Sequence, residues 1–105
     1  MPLCHLVTFT FKPRTPTETI TELSAALDEL SMRAGAISYF HGQDLKIRPR
    51  NADYAVTAIF QDDAAFSAYI NSPEHLRIVH ELVTPHLQSR SVVQFSIDLR
   101  AARPS

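Results

Sequence analysis

Three stretches of this chain alternate residue by residue between two kinds of side chain: Leu3 to Phe11, Asp53 to Phe60 and Ser91 to Leu99. Successive side chains of a strand point to opposite faces, so each stretch reads as a strand with one core-facing side. In the first, His5, Val7, Phe9 and Phe11 share a side, against Leu6, Thr8 and Thr10. In the second, Tyr54, Val56, Ala58 and Phe60 share a side. In the last, Val93, Phe95, Ile97 and Leu99 stand against Gln94, Ser96 and Asp98. A fourth strand is predicted over Ala36 to Lys46, with Ile37, Tyr39 and His41 on one side and Gly42 marking a bulge or a close approach. The turn Arg48-Pro49-Arg50-Asn51 reads as a solvated hairpin loop, and its basic charge as surface charge.

Between the first two strands, Thr15-Pro16-Thr17-Glu18 has the form of a capping box, with Thr15 as N-cap. The helix it opens carries Ile20, Leu23, Leu27 and Leu30 on one stripe and ends at Gly35, which can take the left-handed conformation after a C-cap. After the third strand, Asp62 or Asp63 caps a short helix in which Phe66, Tyr69 and Ile70 have i, i+3, i+4 spacing, so the Tyr69 ring points inward. Ser72 is a good N-cap for a further helix, and Pro73 suits the first helical position. At 100° per residue, Arg77, His80, Glu81 and Thr84 fall in one arc. Leu76, Ile78, Val79, Leu82 and Val83 occupy the opposite side, with His75 in its middle. Pro85 predicts an end near Val83 or Thr84.

The order β-α-β-β-α(α)-β predicts an α+β, ferredoxin-like protomer: a four-stranded antiparallel sheet with helices on one face. One sheet face is then left uncovered. The less apolar strand sides, with Thr8, Thr10, Ser38, Phe40, Thr57, Ile59, Gln94 and Ser96, would form it, and pairing it with its own copy predicts a homodimer.

The chain has 105 residues, which reads as one domain over 1–99 with a loose tail over 100–105. Ten basic against eleven acidic residues give a formal net charge of -1, too little field to draw in nucleic acid or an anionic membrane. Neither a signal peptide nor a membrane span is read in the sequence. The single cysteine, Cys4, has no internal partner, and a cytoplasmic location is expected. Cys4 and His5 are adjacent in a strand and point to opposite faces, which argues against a nucleophile pair.

An imidazole on an apolar helix face beside a buried phenol is the arrangement with chemical potential here. A neutral imidazole near its ordinary pKa can take and return a proton, and a phenol can donate to a carbonyl or enolate oxygen. A pocket between helices and sheet is expected, lined by His5, Val7, Tyr39, Tyr54, Phe66, Tyr69, His75, Val79 and Leu82. The five histidines lack metal-ligand spacing: His75 and His80 lie about 140° apart on a helix, at 3.6 residues per turn, and there is no His-Glu-x-x-His pair. No metal or cofactor is expected.

His5 followed by Phe11-Lys12, the Gly42-Gln43-Asp44 segment, Phe60 before an acidic cap, and above all Tyr69-Ile70-Asn71-Ser72-Pro73-Glu74-His75 resemble the stress-responsive dimeric α/β-barrel (Dabb) family, over about residues 3 to 98. The resemblance implies a ferredoxin-like protomer whose sheet pairs with a second copy's to form a barrel. Among its members are olivetolic acid cyclase-like polyketide cyclases, cofactor-free enzymes that close a linear polyketide by aldol condensation. On that resemblance His75 is the general base, Tyr69 lies at the substrate carbonyl and His5 is a further pocket histidine. Ser24 and Leu27 replace that pocket's aromatic residues on the first helix, and Tyr54 is nearest to its third-strand histidine. The implied function is a cofactor-independent cyclase or lyase acting on a poly-β-keto or phenolic carboxylate. The alternatives are a non-catalytic small-ligand-binding or stress-associated protein and a cofactor-free oxygenase.

Overall fold

The computed structural model describes residues 1–101. Its elements in order are β1 (Leu3–Phe11), α1 (Thr17–Ser31), β2 (Ser38–Gln43), β3 (Tyr54–Phe60), α2 (Asp63–Ile70), α3 (Pro73–Ile78) and β4 (Leu87–Ser96). The strands form one antiparallel sheet in the order β2-β3-β1-β4, and the helices cover one of its faces. The fold is ferredoxin-like, as the alternation and helix spacing predict.

Register fixes which side chains share a face, because directly paired residues point the same way. His5 pairs with Ala58 of β3 and Gln94 of β4; Val7 pairs with Val56 and Val92. These sit on the helix side, where Leu23, Leu27 and Leu30 of α1 are buried against Val7, Phe9, Val56 and Phe60 in one core cluster. The other face carries Cys4, Leu6 and Thr8 of β1, Phe40 of β2, Thr57 and Ile59 of β3, and Val93 and Phe95 of β4.

That assignment corrects the reading of β4. Gln94 and Ser96 belong to the helix side, and Val93 and Phe95 to the open face. β4 is an edge strand that begins at Leu87, four residues earlier than expected, and its helix side stays exposed. In this edge strand apolar residues stand on both faces: Val93 and Phe95 on the open one, Val92 on the helix side.

Local chemistry accounts for the other departures. Thr15 does not cap α1: its hydroxyl donates to the Lys12 carbonyl at 2.7 Å, closing the preceding turn, and Pro16 takes the cap position without a side-chain bond. α1 stops at Ser31, where the serine hydroxyl donates to the Asp28 carbonyl; Gly35, with φ of 67°, turns the chain later, on the way to β2. β2 is shorter than 36–46 because Asp44 accepts from the Lys46 N–H at 2.9 Å and curls the chain out of the sheet. Gly42 is neither a bulge nor a close approach; it pairs regularly with Ala55, and the sheet's irregularity lies at Thr10/Phe11 of β1.

The helix after Ser72 is composite. Pro85 lacks an N–H and its ring crowds the carbonyl four residues before it. α3 gives way at Val79–Val83 to a π-helical turn and at Thr84–His86 to a 3-10 turn. The constant 100° step fails across the π turn, where Ile78 and Val83, five residues apart, are both buried; Leu76, inside the regular α3, is 53% exposed at the edge of the polar arc. His86 sits in the 3-10 turn. Of the expected loose tail, Leu99–Ala101 forms a 3-10 turn, and residues 102–105 lie outside the described residues. No helix among the described residues is long and apolar enough to cross a membrane.

Candidate functional site

His75 is set in place by the start of α3. The Ser72 hydroxyl accepts from the His75 N–H at 3.2 Å with Pro73 between them, so the cap and the imidazole belong to one turn. The junction with α2 is equally short. Asp62 caps α2 by accepting from Ala65 N–H, and the helix ends with Tyr69 buried at 4% exposure. The Tyr69 and His75 rings lie 4.8 Å apart between centroids, tilted by 57°.

Around this pair the rings form a continuous packed series. His5 of β1 lies 5.0 Å from Phe66 and 6.3 Å from Tyr69. The Tyr69 and Tyr39 hydroxyls are 2.8 Å apart, and the Tyr39 ring meets His41 edge-on at 6.2 Å. His41 stacks on Tyr54 at 6.0 Å. Five of the expected residues, His5, Tyr39, Phe66, Tyr69 and His75, are thus brought together directly, and Tyr54 joins through His41. Val7 lies two residues from His5 on the same buried strand face. Val79 and Leu82 are half-buried in the π turn, with Leu82 packed on the core.

Hydrogen bonding sets the proton positions. Gln94 Nε2 donates to His5 Nδ1 at 2.9 Å, which leaves the proton of neutral His5 on Nε2. His41 Nε2 lies 2.7 Å from Asp28 Oδ1 and its Nδ1 lies 2.7 Å from the Tyr54 hydroxyl, so a neutral His41 donates to the carboxylate and accepts from the phenol. His75 is different. Its Nδ1 is buried and has no hydrogen-bond partner among the described residues. Buried polar atoms are nearly always paired, and an orphan of this kind calls for a physical reason.

Burial favours the neutral forms of His5, His75 and the three tyrosines. Burial lowers the pKa of His75 below its ordinary 6.5, opposed in part by hydrogen bonding toward the Ile70 backbone, though among the described residues no bond of good geometry reaches Nδ1. Burial lowers His5 as well, helped by repulsion between the two imidazoles. Tyr39, Tyr54 and Tyr69 are pushed up by burial and stay protonated. The cluster therefore presents two neutral imidazoles and neutral phenols: a base beside donors.

His41, Asp28 and Gln94 belong to the cluster without having been assigned a role in it by sequence. Alternation already puts His41 on Tyr39's side of β2. Asp28 is one turn beyond Ser24 on α1, but only the fold brings it to His41. Gln94 was hidden by the inverted reading of β4.

Two cavities lie elsewhere. One of about 460 Å³ is at the end of β1 and the β2–β3 loop, bordered by Phe11, Lys12, Arg14, Lys46 and Asp53 among others. A second, of about 290 Å³, borders Thr8, Gly42, Asn51 and Ala55; Tyr54 is the one residue of the expected nine that touches either. Among the described residues no three His, Cys, Asp or Glu side chains come together as a metal-ligand group.

Comparison with solved structures finds the same fold repeatedly. A dimeric ferredoxin-like protein of unknown function from Thermobifida fusca YX is 27% identical, with a TM-score of 0.85 and 92% of each chain covered. One from Jannaschia sp. CCS1, also described as dimeric and of unknown function, is 26% identical, with a TM-score of 0.76 over 92% of this chain and 100% of that one. A hydroxynitrile lyase from Passiflora edulis is 21% identical, with a TM-score of 0.79 over 98% and 97%. A search of curated proteins finds no match. The model of the stress responsive A/B barrel domain matches residues 3–97, nearly the whole sheet-and-helix unit described above, and the chain belongs to that family, Dabb.

Proposed function

We propose that this chain works as a homodimer and acts without a cofactor on a poly-β-keto or phenolic carboxylate, as a cyclase or lyase, with His75 as general base and Tyr69 holding the reacting carbonyl. The observation that carries the reading is the buried, unpartnered Nδ1 of His75 beside Tyr69. A core histidine with a purely structural role would have that nitrogen tied to the protein. A base must keep a lone pair free for the substrate's proton.

In the proposed reaction, the substrate carbonyl accepts the Tyr69 O–H in place of that hydroxyl's contact with Tyr39. His75 Nδ1 takes a proton from the carbon between two carbonyls, and the electron pair left behind is delocalised as an enolate. The enolate carbon attacks a further carbonyl carbon of the same molecule. A C–C bond forms, the C=O π pair moves onto oxygen under the Tyr69 hydroxyl, and the imidazolium returns its proton to that oxygen. Base catalysis of this kind contributes roughly 10²- to 10⁴-fold. His5, Val7, Tyr39, Tyr54, Phe66, Val79 and Leu82 are the proposed lining.

The homodimer is supported by the open sheet face, where Phe40 is 66% exposed and Phe95 47% exposed, and by the dimeric state of the Thermobifida and Jannaschia proteins. The Passiflora likeness, at 21% identity, speaks to the fold alone.

A second reading is a non-catalytic ligand-binding or stress-associated protein, favoured by the ring-on-ring packing at Tyr69 and by cavities that open elsewhere. Cyclisation and decarboxylation of β-keto carboxylates, measured with melting temperature for wild type, His75→Ala and Tyr69→Phe, separates the two. Catalysis predicts lost turnover in a folded His75→Ala protein and a smaller loss in Tyr69→Phe. A destabilised but equally active His75→Ala protein, or no turnover by wild type, favours the second reading.

A further inference from the structure

The cavity at the far end of β1 is a separate place. His5 and Phe11 are six residues apart on one strand, roughly 20 Å at about 3.3 Å per residue, and the stacked rings of Phe9 and Phe11 stand between the His75 cluster and this end. Its volume of about 460 Å³ is within the range of small-molecule sites.

The charges around it are arranged with one sign free. Lys12, Arg14 and Lys46 meet Asp44 and Asp53 there. All four carboxylate oxygens already accept protein hydrogen bonds. Asp53 takes the Phe11 N–H at 2.8 Å and Lys46 Nζ at 3.3 Å. Asp44 takes the Lys46 N–H at 2.9 Å and Asn51 Nδ2 at 3.0 Å. Two of the three cations are not so bound. Lys12 Nζ has only the Pro85 carbonyl, at 3.5 Å, and the Arg14 guanidinium has no hydrogen-bond or ion-pair partner among the described residues. The acidic groups are consumed in holding the loop, while ammonium and guanidinium donors remain for a ligand that only accepts.

The backbone supports the same place. Arg14 and Lys46 have φ of 72° and 60°, the left-handed conformation that long side chains seldom adopt, and both border the cavity. Such residues persist where surrounding contacts over-determine them and gather at ligand sites. Here the Lys12–Thr15 turn and the Asp44–Lys46 bond fix them. Phe11, Pro13 and Ile20 supply an apolar wall beside the cations.

We propose that this cavity is a second binding site, for a small organic carboxylate with an apolar body, gripped by Lys12 and Arg14. A guanidinium and an ammonium bind a carboxylate by charge-assisted hydrogen bonds, and the apolar wall selects against a bare inorganic anion. The proposal requires no turnover at His75 and stands or falls apart from it.

The test is a ¹H–¹⁵N NMR titration of the full chain with phenylacetate, and with phenylacetamide and inorganic phosphate as comparisons. Phenylacetate should give saturable shifts centred on Lys12, Arg14 and Lys46, with phenylacetamide and phosphate weaker by about tenfold or more. Lys12→Met with Arg14→Gln should lower phenylacetate affinity by about tenfold or more at an unchanged melting temperature. Either single variant serves if the pair fails to fold. Phenylacetamide binding as well as phenylacetate would overturn the charge assignment, and phosphate doing so would overturn the organic one. No saturation, shifts confined to the Tyr69 end, or undiminished binding by the folded variants would overturn the site itself.

Discussion

The hydroxyls of Tyr39, on β2, and Tyr69, at the end of α2, meet at 2.8 Å. Burial keeps both phenols protonated, so one donates to the other and the contact is a neutral hydrogen bond between two elements that share no backbone ladder. It also engages the hydroxyl of Tyr69, whose ring packs on His75. Removing Tyr39's oxygen leaves Tyr69 buried without that partner. Tyr39→Phe should therefore destabilise by about 1–3 kcal/mol. The double change with Tyr69→Phe should cost less than the sum of the singles, a coupling that a urea-denaturation double-mutant cycle measures.

pH dependence follows from the two lowered imidazoles. His5 and His75 have folded pKa values below the ordinary 6.5, so the unfolded chain binds more protons than the folded one once pH drops toward 6.5. Stability is fully present above pH 6.5 and is lost as pH falls from there toward the folded values, with a slope of up to about 1.4 kcal/mol per pH unit for each group. Urea midpoints should fall between pH 7.5 and pH 5. His75→Gln should flatten part of that fall; an unchanged slope would mean His75 is not buried in its neutral form.

The cap that sets His75 can be tested alone. Ser72→Ala removes the acceptor of the His75 N–H and should cost about 0.5–2 kcal/mol, while Ser72→Asp, another good cap, should retain most of the stability. Thermal denaturation compares them.

On the open sheet face, Ile59→Asp or Phe95→Asp would bury an unpaired charge if that face meets its copy. Sedimentation should then show a dimer for wild type and a monomer for either variant at micromolar concentration. A wild-type monomer would contradict the barrel arrangement.

The sheet, its helix-covered face and the junction Tyr69 to His75 were legible in sequence because each rests on a local rule: alternation in β1 and β3, an aspartate cap at Asp62, a serine cap and proline at Ser72 and Pro73. What was not legible depends on competition between partners. Thr15 had two acceptable uses, and the Lys12 carbonyl took its hydroxyl. Gln94 reads as part of the open sheet face until the register of β4 is known, which sets it beside His5 and turns Val93 and Phe95 away from the helices. The π turn before Pro85 breaks the helical period between Ile78 and Val83. The Asp28–His41–Tyr54 contact joins α1, β2 and β3, and no spacing within any one of them encodes it.

The central claim is that His75 removes a proton from carbon. Its most direct measurement is deuterium exchange at the methylene of a linear β,δ-diketo carboxylate in D₂O at pH 7.5, followed by ¹H NMR with wild type and with His75→Ala, each shown folded by its amide spectrum. The account predicts exchange faster than buffer alone with wild type, and a loss of roughly 10² or more in that acceleration with His75→Ala. Exchange at the buffer rate with wild type, or equal acceleration by the folded His75→Ala protein, would contradict it.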